Sequence, residues 1–110
     1  MSRRSLVLAS LPAPVRQTVK DLGANIATAR RRRRQTQAEL ATRVMVSVPT
    51  VQRVERGDPS VSIAVYFTAL WALGLAKDLR GIARPEQDQA AQLLDPERLP
   101  ARVRHARRPL

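Results

Sequence analysis

The nine residues from Val48 to Arg56 carry the most specific chemistry in the sequence. Wound as a helix, they place Val48, Pro49, Gln52, Arg53 and Arg56 on one side and Thr50, Val51, Val54 and Glu55 on the other. An arginine fork can bond the acceptor edge of guanine, a glutamine amide can pair with adenine, and a small apolar group can touch a thymine methyl. The first side is therefore equipped to read a DNA major groove. The competing reading is an ordinary solvated face, since amphipathic helices with arginine outside are common.

Other chemistries are poorly supplied. There is no cysteine for disulfides or thiolate metal sites, and the single histidine, His105, stands in an arginine-rich tail without converging ligands. The carboxylates are too scattered to nominate an acid–base pair. The sequence predicts no catalytic residue, no metal and no cofactor, hence a protein that binds rather than an enzyme. Its net charge of +11 is unevenly spread. Residues 1–20 carry four bases and no acid, and residues 98–110 five bases and no acid. Between them, residues 30–56 hold eight bases against Glu39 and Glu55, whereas residues 57–97 hold three against six acids. Such asymmetry suits a polyanion on one side and a different neighbour on the other.

The elements that must position the reading face follow from periodicity and caps. Val15, Val19, Leu22, Ile26 and Ala29 recur at helical spacing, so a first helix is predicted from about Pro14 into the arginines, slightly weakened by Gly23. Thr36-Gln37-Ala38-Glu39 is a capping-box pattern that starts a second helix burying Leu40, Ala41 and Val44. About three residues later Ser47 caps the third, which tolerates Pro49 in its first turn and ends at Gly57-Asp58-Pro59. A fourth spans "SIAVYFTALWAL" up to Gly74, with Tyr66, Phe67 and Trp71 on a wide apolar arc read as core, part of it available to a dimer. Leu75, Leu79 and Ile82 suggest a fifth, and a short helix is possible from about Gln87 to Leu94. No strand alternation is evident in this stretch. The N-terminal "SLVLASLP" reads as a paired strand or as a disordered arm.

The run of five arginines, residues 30–34, cannot form one phosphate-binding face, because five successive helical residues point in five directions. Arg33 falls on the apolar stripe and must snorkel or mark the helix end. Arg31, Arg32 and Arg34 remain as candidates for the DNA backbone.

The string T-Q-x-E-L-A followed by V-S-x-x-T-V-x-R-x-E-R-G, within residues 22–74, resembles the Xre/Cro helix-turn-helix family of phage and bacterial repressors. That resemblance implies an all-α fold, a compact five-helix helix-turn-helix bundle of the lambda-repressor type with flexible N- and C-terminal extensions. The third helix would lie in the major groove. It assigns base reading to Ser47, Val48, Pro49, Gln52 and Arg53, and a phosphate contact to Gln37, which would also brace a base-reading side chain. Thr50 and Arg56 join the arginines as backbone contacts. Arg30 and Glu55 match a partly buried structural ion pair of the family. Where the family has glycine at the end of the second helix and Gly-Leu before the capping box, this chain has Met45 and Arg34-Gln35. The segment "GDPSVSIAVYFTALWALGLAKDL" and the basic end resemble HipB-type regulators, which sit beside HipA-like kinase toxins.

The implied organisation is an N-terminal arm (1–13), the DNA-binding domain (14–83), a linker with a possible short helix (84–97) and a basic tail (98–110). The tail's Arg102, Arg104, Arg107 and Arg108 suit phosphates, an acidic partner or mere solubility. The expected partners are double-stranded operator DNA, a second copy of the chain through Leu75, Leu79 and Ile82, and in the HipB-like alternative a HipA-like kinase toxin. Only "LVLASL" follows Arg3 and Arg4 before Pro12, too short for a secretory signal, and no segment has membrane-spanning length. A cytoplasmic, nucleoid-associated protein without membrane contact is expected. Charge alone would also support an RNA binder. That reading requires an aromatic stacking face, and all three aromatics fall on the arc read as core.

Overall fold

Why four consecutive helices should end where they do is visible in their last residues. The computed structural model describes residues 3–94 and Arg102. Among them are six α-helices and no strand: α1 (Arg3–Ala9), α2 (Ala13–Arg32), α3 (Gln37–Val44), α4 (Val48–Glu55), α5 (Ile63–Ala72) and α6 (Gln89–Leu94). After each of α2 to α5 one residue turns left-handed: Arg34 (φ 56°), Met45 (63°), Gly57 (72°) and Gly74 (75°). Each turn then closes with a bond from the next N–H back to the last helical turn. The pairs are Gln35 to Arg30 O, Val46 to Ala41 O, Asp58 to Arg53 O and Leu75 to Leu70 O, at 2.8–3.2 Å. This six-residue closure satisfies carbonyls that a helix end otherwise leaves open.

The starts are equally local. Thr36 and Glu39 form the reciprocal capping box, with Glu39 N–H donating to Thr36 Oγ1 at 3.0 Å. Ser47 and Ser62 cap α4 and α5 by accepting from Thr50 N and Val65 N. Pro49 lies in the first turn of α4, where no intrahelical bond is lost.

α2 packs on α4, and α3 packs on both α4 and α5. Ile26, Leu40 and Val54 are sealed at the centre, with Val51, Tyr66, Leu70 and Leu73 around them. Burial along α2 rises toward its C-terminus: Val15 is exposed, Val19 and Leu22 are half-buried, and Ile26 and Ala29 are buried. Gly23 lies where α2 meets the end of α4. A methyl there would collide with the Val54 carbonyl and stand 2.6 Å from Gly57 N. The residue that weakens the helix in isolation therefore permits its closest packing. Tyr66 fixes the adjoining turn by donating its hydroxyl to Asp58 O at 2.7 Å. Burial, reinforced by the Asp58 charge, pushes the phenol up to about 12, so it stays protonated and able to donate.

Three expectations are corrected. The N-terminal segment forms α1 instead of a strand or disordered arm. The fifth helix is absent: Leu75–Asp78 is non-helical and only a 3₁₀ turn, Leu79–Gly81, follows. Gly81 and the left-handed Ala83 interrupt the pattern that Leu75, Leu79 and Ile82 suggested. Of the aromatics, Tyr66 is core and Phe67 half-buried, but Trp71 is 67% exposed. It lies on the side of α5 opposite the packed row Tyr66, Ala69, Leu70 and Leu73.

The described residues divide into two units between Leu79 and Arg80. In the second, a 3₁₀ turn at Pro85–Gln87 packs against α6, whose first turn is capped by Asp88 Oδ1 accepting from Ala91 N at 3.2 Å. Its helix agrees with the short one expected near residues 87–94. The basic tail, Arg102 apart, lies outside the described residues.

Candidate nucleic-acid interface

Only three residues, Met45–Ser47, join α3 to α4, so the two helices form one tight corner. The inward face of α4 is Val51 and Val54, both buried. Pro49, Gln52, Arg53 and Arg56 are exposed, and Val48 and Thr50 are half-buried at the boundary. Val48 packs against the core, so only part of it faces outward.

Glu55 ties α4 to its neighbours. Arg30 of α2 donates from Nε to Glu55 Oε2 at 2.6 Å and from Nη2 to Oε1 at 3.0 Å. Its Nη1 donates to Gln35 O at 2.8 Å, drawing in the α2–α3 turn. Burial alone would raise the Glu55 carboxyl. The bonds from Arg30 and Gln37, with the positive field of Arg30 and Arg31, outweigh it and hold the group below its ordinary value. The Glu55 bond raises Arg30 despite its own desolvation. A planar guanidinium suits this two-toothed pairing with a carboxylate.

Gln37, the first residue of α3, completes the network. Its Nε2 donates to Glu55 Oε1 at 2.9 Å, and its Oε1 accepts from Gln52 Nε2 at 3.5 Å. One carboxylate thus orients Gln37, and Gln37 reaches the glutamine on the outer face of α4. On the other side, Arg53 Nη2 donates to Thr50 Oγ1 at 3.2 Å, and the Thr50 and Ser47 hydroxyls share a bond of 3.0 Å. Asp58 sits just beyond. The Ser60 hydroxyl and N–H, with Arg53 and Arg56 nearby, hold its carboxyl below its usual range against a small desolvation.

The structure therefore brings together Gln37, Ser47, Thr50, Gln52 and Arg53 at the α3–α4 corner, with Arg56 at its far end. Arg31, Arg32 and Arg34 are all exposed at the end of α2. Arg33 is also exposed, and its Nη1 donates to Ala29 O at 2.8 Å, so it caps the helix end. Leu75 is exposed, whereas Leu79 packs partly against the core and so offers little to a partner. Ile82 is exposed in the second unit. The resemblance paired Arg30 with Glu55 and had Gln37 brace a base-reading side chain, but it did not reach the bond from Gln37 to Glu55 that joins the two into one relay. That bond depends on where the start of α3 meets the last turn of α4.

A short capped helix, a three-residue turn and a second helix with a polar, arginine-bearing outer face define the class: a helix-turn-helix DNA-binding regulator. Residues 21–83, more than half of the chain, match the helix-turn-helix domain family, and the protein belongs to it. No curated protein and no solved structure matches the chain. The match begins within α2 and leaves α1 outside. No helix among the described residues is long and apolar enough to cross a membrane.

Proposed function

We propose that this protein is a dimeric, sequence-specific repressor of the Xre/Cro kind that occupies an inverted-repeat operator in its own promoter. The observation that carries the reading is the outer face of α4, where Gln52 and Arg53 stand exposed while Glu55 and Gln37 brace the helix behind them. In this reading Ser47, Val48, Pro49, Gln52 and Arg53 face base edges. Gln37, Thr50, Arg56, Arg31, Arg32 and Arg34 meet phosphates. Phosphate contacts supply most of the affinity and make it salt-dependent, while α4 sets the sequence. The protein acts in the cytoplasm, on the nucleoid.

One α4 reaches few base pairs, so two copies are needed, related by a two-fold axis and reading successive major grooves. Leu75 and Ile82 offer exposed apolar surface for that contact, as do Ile63 and Trp71 on α5. Footprinting on DNA upstream of the gene tests the proposal. The expected result is two protected half-sites about 34 to 36 Å apart, centre to centre. Uniform protection at all positions would refute it.

A second reading is favoured by the exposed Ile63 and Trp71, because an apolar face with a tryptophan is characteristic of a protein contact. In it the chain is a HipB-like antitoxin that restrains a HipA-like kinase toxin and binds DNA as feedback. Stable co-purification with a kinase encoded by the adjacent reading frame would select this reading.

A further inference from the structure

α1 lies beside the surface assigned above to DNA. An open cleft of about 530 Å³ is bounded by Ser5 and Leu8 of α1, Thr50 and Arg53 of α4, and Ser60 and Ser62 at the entry to α5. Leu8 also reaches the other way. With Leu11, just beyond α1, it lines an apolar groove shared with Val19, Tyr66 and Phe67. Arg3 is exposed and opens α1 two residues before Ser5; it does not itself line the cleft. Residues 1–20 contain four bases and no acid.

The size of a groove decides what such a neighbour can touch. A helix with its side chains is about 10 to 12 Å across, and the major groove is about 12 Å wide. Once α4 occupies the groove, an element alongside it meets the phosphate ridge and not the bases. A positive side chain is the matching chemistry there. We propose that α1 is a second DNA-contacting element, with Arg3 on the phosphate backbone that borders the groove read by α4. The proposal rests on the DNA-reading role of α4 and adds a surface outside the segment that matches the family.

The test is equilibrium binding of the full chain to an upstream-region duplex and to a scrambled duplex of equal length, over a series of salt concentrations. Arg3→Glu is expected to weaken both complexes about tenfold at low salt and to make the salt dependence shallower by about one to two counterions. Leu8→Ser, which removes the α1 leucine that lines both the cleft and the apolar groove without altering charge, is expected to give a smaller loss on both duplexes. Thermal melting of each variant keeps a folding defect apart from a binding one. Arg3→Glu binding within twofold of wild type at an unchanged salt slope overturns the proposal and leaves the α4 reading intact. Tighter binding by Leu8→Ser also overturns it, because α1 would then be a shield. Failure of the wild-type chain to bind either duplex removes both.

Discussion

The seam between α2 and α4 and the two ends of α3 use the same turn under opposite constraints. At the seam the left-handed residue is Gly57, and a methyl there would strike Lys20 Cα and lie 2.8 Å from both Lys20 N and Val19 O. At the ends of α3 the left-handed residues are Arg34 and Met45, with side chains free in solvent; Met45 is 89% exposed. Left-handed backbone is disfavoured for any L-residue, but it is forbidden only where a second backbone fills the space of the side chain. The contrast separates two requirements that glycine usually hides. One is conformational and can be outweighed by the rest of the fold; the other is steric and cannot.

Five substitutions test this contrast. Gly57→Ala combines overpacking with left-handed strain and should cost about 3 kcal/mol in urea unfolding. A cost equal to that at an open turn would mean that the seam relaxes. At the same seam, Glu55→Ala strands Arg30 and should cost about 2 kcal/mol, less than a fully sealed pair because each partner keeps about a tenth of its exposure. Because the folded Glu55 pKa is depressed, the unfolded chain takes up the proton first as pH falls. This contribution is therefore complete above the ordinary glutamate range of about 4.3 and is lost on acidification through the lower folded value. Acid titration of stability should be flatter in Glu55→Ala than in wild type.

Gly74 has the same left-handed φ but nothing within 4 Å of an added methyl. Gly74→Ala should therefore cost only the conformational part, about 1 kcal/mol. The smallest effect has the opposite sign: Met45→Gly should stabilise by about 0.5 kcal/mol, strain relief being partly offset by the freer unfolded chain. A loss of stability there would show that the exposed methionine packs in solution. Arg34→Gly should likewise raise the melting temperature yet weaken binding to all duplexes, if Arg34 is a phosphate contact.

The sequence made the corner of α3 and α4 legible because its signals are local. The capping box Thr36–Glu39, the Ser47 cap and the alternation of Val51 and Val54 with Gln52 and Arg53 all lie within one or two turns. What escaped were relations between distant backbones or segments of weak local preference. The value of Gly23 depends on Val54 and Gly57, more than thirty residues away. α1 opens with Arg3 and has no acidic residue in its first turn, against the helix dipole, and its apolar run is short. The periodicity of Leu75, Leu79 and Ile82 was real but too brief to outweigh Gly81 and the turn around it. Trp71 was read as core because an apolar arc does not reveal how much of itself a neighbour covers.

Arg53 is the residue on which sequence reading by the outer face of α4 stands or falls. The measurement is the ratio of affinities for the footprinted operator and a scrambled duplex at one fixed salt concentration, in wild type and in Arg53→Ala. The variant is expected to lose about 1 to 3 kcal/mol on the operator, much less on the scrambled duplex, and its discrimination at one base position. Equal weakening on both duplexes would make Arg53 a backbone contact and contradict the assignment.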